Sequence, residues 1–264
     1  MPERILLFVP MYNCERQISR VIAQLTPEIQ QVLSEVIVVD NRSSDNGRRV
    51  ASEALAALKI PARLVMNDNN YGLGGSHKVA FTYALENGFD YLIVLHGDDQ
   101  GSIADLVPYI NRGDHRSLDA LLGARFMTGA KLEGYSAFRT FGNHVFNTLY
   151  SLVAGYAIKD LGSGLNLYSV PALADRWWLN NANDLTFNYH MILKSINAGW
   201  KMRFFPLTWR ESDQVSNVKL FRQALTVMGI VFTYLVARGK YVTMDYSGRP
   251  TGNYPSTTVS ENCP

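Results

Sequence analysis

Asp98 follows the apolar run of residues 91–95, in a segment that also contains Asp99 and Gln100. Divalent cations such as Mg²⁺ and Mn²⁺ prefer carboxylate oxygens and keep part of their coordination shell for substrate phosphates. The Asp98 carboxylate, a carbonyl oxygen such as that of Gln100, waters and two phosphate oxygens would complete an octahedron. Such a cation acts as a Lewis acid on a departing phosphorylated group. Asp98 with Asp99 is the alternative pair, although adjacent side chains in an extended strand point to opposite faces.

Three other polar segments also end apolar runs. They are residues 10–13, 40–45 and 67–76, and they contain most of the early Asn, Asp and Gly residues. Ligands of open α/β sheets bind at the carboxyl edge of the strands, where all such segments would meet. We therefore expect these segments and the one around Asp98 to form a single ligand site.

The apolar runs that precede these segments predict the elements that position them. Residues 5–9, 36–39, 62–66 and 91–95 are continuous aliphatic or aromatic runs, as is typical of buried parallel strands. Helical patterns lie between them, at 15–25, 48–58 and 78–87. Alternating strands and helices predict an α/β fold with a mostly parallel central sheet and helices on both faces.

The pattern changes in the second half of the chain. Residues 1–217 are expected to form the main domain, residues 218–245 a C-terminal helix, and residues 246–264 a disordered tail rich in small polar residues. The helix has an uncharged centre from 223 to 237, which Lys and Arg residues flank. An interfacial helix beside anionic lipid, a core helix or an oligomer contact would each account for this pattern.

Composition excludes several classes of protein. The chain has 264 residues, of which 47% are hydrophobic, and a net charge of +2 that gives no indication of nucleic-acid binding. Its two cysteines, Cys14 and Cys263, form no disulfide framework, and no apolar stretch is long enough to predict a spanning helix. We therefore expect a cytoplasmic protein, and possible homo-oligomerisation stays open.

Several segments together resemble glycosyltransferase family 2. The segments are VPMYNCE at 9–15, VVDNRSSD at 38–45, NYGLGG at 70–75, LHGDDQ at 95–100, GARF at 123–126 and DLGSG at 160–164. The last two are similar to the branch of the family that glycosylates polyprenyl phosphates, such as dolichyl phosphate. A Rossmann oxidoreductase would instead need a glycine-rich turn after the first strand, where this chain has residues 10–13.

The resemblance implies a GT-A fold and an inverting transfer from a UDP- or GDP-linked sugar, with Mg²⁺ or Mn²⁺ as cofactor. It implies that Asp40 accepts hydrogen bonds from the base or ribose, and that Tyr12 lies against the base. The donor-binding residues it predicts are Pro10, Tyr12, Asn13, Glu15, Asp40, Asn41, Gly72, Gly74, Gly75, Gly97 and Asp98. We expect the glycines to let backbone approach the donor closely.

Three positions depart from the family pattern. His96 stands where the family has its first metal-motif aspartate, Asn41 replaces an acidic residue, and Cys14 replaces a glutamate. His96 could be a metal ligand through a neutral imidazole, which would favour Mn²⁺, or it could only line the donor pocket. A catalytically silent nucleotide-sugar binder is therefore an alternative function.

The acceptor has two interpretations. Arg125, Arg139 and Ser163 lie in segments that the family likeness places near an acceptor phosphate or the donor, which favours polyprenyl phosphate or another membrane-linked acceptor and a position on the inner face of the membrane. Asp184 lies near where relatives that glycosylate hydroxyl groups keep a catalytic base. Asp184 could equally cap the following helix. A soluble hydroxyl acceptor, such as a glycan or natural product, is the alternative to the lipid phosphate.

Overall fold

The structure is a computed structural model that describes residues 2–211, 220–249 and 252–264. Its strands are β1 (Ile5–Met11), β2 (Glu35–Asp40), β3 (Ala62–Asn67), β4 (Tyr91–Leu95), β5 (Ala120–Ala124), β6 (Lys131–Glu133), β7 (Leu165–Ser169), β8 (Met202–Pro206), β9 (Thr208–Arg210) and β10 (Ser256–Asn262). Its α-helices are α1 (Ile18–Ala23), α2 (Pro27–Gln30), α3 (Gly47–Leu55), α4 (Gly72–Glu86), α5 (Val107–Asn111), α6 (Ala137–Ala154), α7 (Phe187–Asn197), α8 (Leu220–Val236) and α9 (Arg238–Thr243). Short 3₁₀ turns cover Ile103–Asp105, Pro171–Leu173 and Trp177–Asn180.

The large sheet has the strand order β10-β3-β2-β1-β4-β7-β5-β8. Strands β3, β2, β1 and β4 are parallel, as are β5 and β8, whereas β7 and β10 run antiparallel to their neighbours. β6 and β9 form a small parallel sheet. The carboxyl ends of β1, β2, β3 and β4 therefore meet at one edge, as the sequence pattern predicts.

Both faces of the sheet are covered by helices. On β1, Leu6 and Phe8 contribute to one apolar cluster, while Ile5, Leu7 and Val9 contribute to the other. The first cluster includes side chains of α4, α7 and α8, and the second includes side chains of α1 and α3. This arrangement confirms the predicted α/β fold, because alternate side chains of a strand point to opposite faces of the sheet.

The predicted disordered tail is wrong for residues 256–262, which form β10 along the open edge of β3. Asn262 donates to the carbonyl oxygens of Leu55 and Leu58, and Glu261 pairs with Arg63 at 2.8 Å. A polar composition indicates disorder because it offers little apolar surface, but backbone pairing to an exposed edge supplies the missing stabilisation.

The C-terminal helix also differs from the prediction. α8 ends at Val236, and α9 follows after Ala237, whose φ of −142° breaks the helix. The predicted start at Val218 and the flanking Lys219 lie outside the described residues. Within the parts of the chain that the structure describes, none of the helices combines the length and hydrophobicity needed to cross a bilayer.

Candidate functional site

A cavity of about 770 Å³ opens at the carboxyl edge of the parallel strands. It lies where the ends of β1, β2 and β4, the start of α4 and the loop before α7 come together. Its lining consists of Pro10, Met11, Tyr12, Asn13, Cys14, Glu15, Arg16, Gln17, Asn41, Asp45, Asn70, Gly72, Leu73, Ser76, His96, Gly97, Asp98, Asp184 and Leu185. The volume suits a ligand of nucleotide-sugar size.

Side-chain hydrogen bonds join the loop after β1 to the loop after β2. The Asn13 side-chain oxygen accepts the Ser44 N–H at 2.9 Å, and the Glu15 carboxylate accepts the Asn46 N–H at 3.1 Å. Asp45 accepts the Glu15 N–H at 2.9 Å. Asn13 and Glu15 were predicted to bind the donor directly. The structure places both in the cavity lining and also shows that they hold one wall of it together.

Asp40 and Asn41 are buried at the end of β2, with exposed fractions of 0% and 5%. The Asp40 carboxylate accepts the Ser43 N–H at 3.1 Å and is absent from the cavity lining. Asn41 accepts hydrogen bonds from the Asn67 side chain and the Tyr71 N–H. Both residues thus shape the neighbouring turns, and Asn41 also lines the cavity. Asp40 does not line it, which differs from its predicted direct contact with a base or ribose.

The glycines near the start of α4 are packed against protein. A Cβ atom on Gly72 or Gly74 would overlap the carbonyl oxygens of residues 182–183, and one on Gly75 would overlap Tyr71. Gly72 also has a φ of +71°, which favours glycine. We had expected these glycines to let the donor approach the backbone. In the structure Gly72 and Gly74 let the loop before α7 approach α4 instead, Gly75 makes room for Tyr71, and of the three only Gly72 lines the cavity.

A buried lysine on α4 holds the loop before α7 in place through hydrogen bonds. The Lys78 ammonium donates to the Asn181 carbonyl at 2.6 Å, to the Asn183 side chain at 2.7 Å and to the Tyr254 hydroxyl at 3.0 Å. Burial lowers the pKa of Lys78 to about 7. Three segments distant in sequence therefore meet at one side chain, and the loop they fix carries Asp184.

Asp184 is exposed and lines the cavity, next to Leu185. Its carboxylate also accepts hydrogen bonds from the N–H and the hydroxyl of Thr186, directly before α7. The N-cap of α7 is Thr186, so Asp184 holds the turn before the helix and is not its N-cap, contrary to the capping interpretation. Its position in the cavity keeps the catalytic interpretation open.

Asp98 and Asp99 point to different surroundings. Asp98 lines the cavity and accepts the Gln100 N–H at 3.3 Å, and burial raises its pKa to about 6. Asp99 adopts a φ of +60°, and its two oxygens accept hydrogen bonds from Arg20 at 2.6 Å and Gln24 at 3.1 Å. The structure therefore favours Asp98 as the cation ligand over a pair of Asp98 with Asp99.

His96 places a neutral imidazole in the cavity. Burial and the nearby charge of Arg125 lower its pKa to about 4, and its buried Nε2 has no hydrogen-bond partner within the described residues. Its ring packs on Gly164, where a Cβ would be 2.9 Å from the ring.

The Gln100 carbonyl, predicted as a metal ligand, accepts the Arg210 N–H at 2.9 Å and is not part of the lining.

The donor set suits a divalent cation bound together with a phosphorylated ligand. Asp98 and His96 both line the cavity, and the buried His96 Nε2 has no hydrogen-bond partner within the described residues. A carboxylate oxygen and an imidazole nitrogen are ligands that Mn²⁺ accommodates. In the described part of the chain, no three His, Cys, Asp or Glu side chains form a metal cluster.

Arg125 is an internal structural residue, contrary to its predicted phosphate-binding role. Its guanidinium makes two hydrogen bonds to the Asp160 carboxylate, at 2.8 and 2.9 Å, and a third to the Gly162 carbonyl. The side chains of the pair are 10% and 1% exposed. Asp160 also accepts the Gly162 N–H, so the pair supports the turn that packs on His96.

Arg139 and Ser163 are likewise engaged within the protein. Arg139 on α6 pairs with Glu211 at 2.7 Å and covers the ring of Tyr135. The buried Ser163 hydroxyl donates to the side-chain oxygen of Asn166. Neither residue lines the cavity, so the structure does not bring the predicted acceptor residues to the site.

Some lining residues were not predicted from sequence. Arg16 is the only Arg or Lys among the described residues that line the cavity, and Ser76 enters it from α4. Arg16 directly follows the segment that resembles the family, which could have drawn attention to it.

Cys14 also lines the cavity, and burial raises the pKa of its thiol to about 11. Its replacement of a glutamate therefore places a neutral group there at neutral pH.

The α/β fold carries a polar cavity at the carboxyl edge of its parallel strands, and comparison with known proteins identifies the family. Residues 7–177 match the profile described as "Glycosyl transferase family 2". The chain therefore belongs to this family and is a glycosyltransferase, which confirms the resemblance seen in its motifs.

Two curated relatives come from the branch that the motifs indicate. The chain is 26% identical over 182 residues to the UDP-N-acetylglucosamine–dolichyl-phosphate N-acetylglucosaminyltransferase of Methanococcus voltae, covering 64% of this chain and 70% of that protein. It is 24% identical over 211 residues to the undecaprenyl-phosphate mannosyltransferase of Micrococcus luteus, covering 80% and 85%.

Solved structures confirm the GT-A fold. The glucosyl-3-phosphoglycerate synthase of Mycobacterium tuberculosis, in complex with Mn²⁺ and UDP-glucose, superposes with a TM-score of 0.64 at 15% identity. The superposition covers 99% of this chain and 90% of that one. At this identity the likeness establishes the shared fold alone.

Proposed function

We propose that the protein transfers a sugar from a UDP- or GDP-linked donor to polyprenyl phosphate, with inversion at the anomeric carbon. The observation that carries this proposal is the convergence of Asp98, His96 and Arg16 on one cavity at the carboxyl edge of the sheet. Two positive charges, that of a bound cation and that of Arg16, would then bind the negatively charged pyrophosphate of the donor. The names of the relatives support the lipid-phosphate acceptor.

The donor base packs against Tyr12 in this proposal. Tyr12 is 50% exposed at the cavity rim, where an aromatic ring can stack on a nucleobase. Arg16 faces the diphosphate, for which the planar guanidinium fork is suited. Asp40 acts indirectly, by holding the turn after β2, whereas Asn41 both holds the turn at Tyr71 and lines the cavity.

Asp98 and His96 would hold a divalent cation, Mn²⁺ or Mg²⁺. The Mn²⁺ complex of the structural neighbour and the neutral imidazole of His96 support this assignment. When bound, the cation stabilises the negative charge that develops on the departing nucleoside diphosphate. The role of Asp98 is to provide the carboxylate, and the turn supported by Arg125 and Asp160 keeps the His96 ring in place.

A phosphate acceptor already carries the nucleophilic oxygen, so the reaction needs no protein base. Asp184 then acts by holding the turn before α7 through Thr186 and by shaping the cavity wall. Its exposed position in the cavity favours one other candidate function, transfer to a soluble hydroxyl acceptor, in which it would remove the proton.

The Asp184→Asn variant separates these acceptors. Asparagine keeps an oxygen that can accept the Thr186 N–H, so the loop should retain its structure. With a polyprenyl phosphate acceptor, we expect turnover to remain within a few-fold of the wild-type value. Loss of a general base would instead lower the rate by about 10²–10⁴. Steady-state transfer of radiolabelled sugar to undecaprenyl phosphate measures the difference, and a collapse of turnover in this variant would refute the lipid-phosphate proposal.

The Arg16→Ala variant tests the donor diphosphate site. Loss of a charge-assisted hydrogen bond should weaken UDP or GDP binding by about 1.5–3 kcal/mol, roughly 10- to 150-fold in Kd. Binding of the bare nucleoside should not change, since it lacks phosphates. Isothermal titration calorimetry with each ligand measures both effects.

Arg20→Ala is the matched control, because Arg20 lies one helical turn further along and pairs with Asp99 outside the cavity lining. We expect it to leave nucleoside-diphosphate affinity nearly unchanged. Equal losses in both variants would mean that the effect is general electrostatics and that Arg16 does not contact the diphosphate.

A further inference from the structure

Large apolar side chains form an exposed stripe along α6. Phe138, Phe141, Val145 and Leu152 are 78%, 68%, 47% and 77% exposed. Their spacing of three, four and seven residues places them on one face of a helix. Isolated exposed apolar residues are common, but a stripe of this kind marks an interaction site.

A second stripe lies on α8. Leu225, Met228, Phe232, Leu235 and Val236 are between 45% and 61% exposed, again at helical spacing. The sequence pattern of α8 alone left a core helix, an oligomer contact and a lipid contact open. The structure shows that one side of α8 is buried and that this second side is not.

The two helices pack against each other and share the same core. Tyr150 on α6 donates a hydrogen bond to the Val227 carbonyl on α8 at 2.7 Å, and both residues are buried. Since both helices bury their inner sides in this cluster, their exposed stripes lie on the outer side of the pair. We call the two stripes together the α6–α8 face.

The helices that form and follow this face carry basic residues and no acidic ones. α6, α8 and α9 contain no Asp or Glu, whereas Arg238 and Lys240 follow α8 and are exposed. Apolar side chains flanked by basic ones match the boundary of an anionic bilayer, where acyl chains lie below phosphate groups. A two-fold contact uses the same face of both copies, so these basic residues would meet no Asp or Glu of α6, α8 or α9 there.

We infer that the α6–α8 face lies in the interfacial layer of an anionic lipid bilayer. This inference deepens the proposed function, because its purpose rests on the lipid-linked acceptor, while the lipid contact itself can be tested separately. It concerns binding at the bilayer surface, with the hydrophobic side chains inserted below the headgroups and Arg238 and Lys240 at the level of the phosphates.

The face is joined to the cavity by a short series of contacts. The ring of His144 on α6 lies 5.5 Å from that of Phe126, which Arg125 covers at 5.0 Å. Arg125 in turn holds the carbonyl of Gly162, in the turn that packs on His96. This series of contacts therefore runs from α6 to the turn beside His96 at the cavity.

Vesicle flotation of the full chain tests the inference. We expect wild-type protein to float with vesicles of phosphatidylcholine and phosphatidylglycerol in equal parts, and less with phosphatidylcholine alone. The double variants Phe141→Ser with Leu152→Ser, and Phe232→Ser with Leu235→Ser, should each weaken binding by about tenfold or more. Arg238→Gln with Lys240→Gln should weaken binding to the anionic vesicles only.

Val259→Ser is the matched control, since Val259 is 48% exposed but lies on β10. It should float like the wild type. Wild-type protein that never floats at low salt would overturn the inference. So would a wild-type dimer that the α8 double variant converts to monomer while flotation stays the same, because the face would then contact a second copy.

Transfer to a short-chain, water-soluble prenyl phosphate separates this inference from the proposed function. The face variants should transfer sugar to that acceptor at the wild-type rate, because it does not require a membrane. Transfer without flotation would reject the docking face alone. Flotation without any transfer would reject the proposed acceptor and leave the docking face supported.

Discussion

Asp98→Asn should lower kcat/KM for sugar transfer by at least about 10³-fold, which corresponds to roughly 4 kcal/mol of transition-state stabilisation. The physical reason is the loss of the one carboxylate that faces the cavity from the end of β4. Asparagine has nearly the same shape and can still accept the Gln100 N–H, so the fold should be preserved. The assay follows product formation over a titration of Mn²⁺ and, separately, of Mg²⁺.

A binding measurement accompanies the rate. Thermal shift with UDP or GDP should show a metal-dependent increase in melting temperature for the wild type and none for Asp98→Asn, because a ligand that binds only the native state raises its stability. The metal-independent part of the shift should remain, since Arg16 and Tyr12 are unchanged.

Asp99→Asn is the neighbouring control. The Asp99 oxygens bind Arg20 and Gln24 on the side of α1, so this variant should keep activity within a few-fold. Inactivity of Asp99→Asn together with an active Asp98→Asn would reverse the assignment of the cation ligand. Activity of Asp98→Asn close to the wild-type value would by itself remove Asp98 from the mechanism.

Arg125→Ala should lower the free energy of unfolding by about 3–5 kcal/mol, the range observed when one partner of a buried ion pair is removed. The Asp160 carboxylate is 1% exposed and would lose both guanidinium hydrogen bonds. Urea denaturation at neutral pH measures the change. Arg125→Lys keeps the charge but cannot bind the carboxylate with two parallel N–H groups. Its free energy of unfolding should lie between those of the wild type and Arg125→Ala, and it should remain folded.

Arg139→Ala provides the comparison. Arg139 pairs with Glu211, but the side chains are 30% and 20% exposed, so solvent screens the pair and the expected loss is about 1 kcal/mol or less. If Arg125→Ala instead left stability unchanged and raised the KM for the acceptor, Arg125 would be a substrate-binding residue, as its sequence context had suggested.

The roles of several residues could not be predicted because their partners are distant in sequence. Arg125 meets Asp160 and Gly162, Lys78 meets Asn183 and Tyr254, and no local pattern encodes these distances. The sequence motif therefore drew attention to Arg125, whereas burial determines that its charge pairs with Asp160 inside the protein. The same holds for Gly72 and Gly74 of α4, which contact a loop about 110 residues further along the chain.

The sequence alone determined the α/β class, the edge at which the site forms and the importance of the segment around Asp98. These follow from local features: apolar runs that form buried strands, and polar residues at their carboxyl ends. Tertiary structure alone decided that Asp99 turns away, that Arg16 enters the cavity, that residues 256–262 complete the sheet, and that α6 and α8 expose neighbouring apolar stripes. Each of these depends on which surfaces meet after folding, because burial and pairing across the chain, and not residue type, determine whether a side chain faces protein, ligand or lipid.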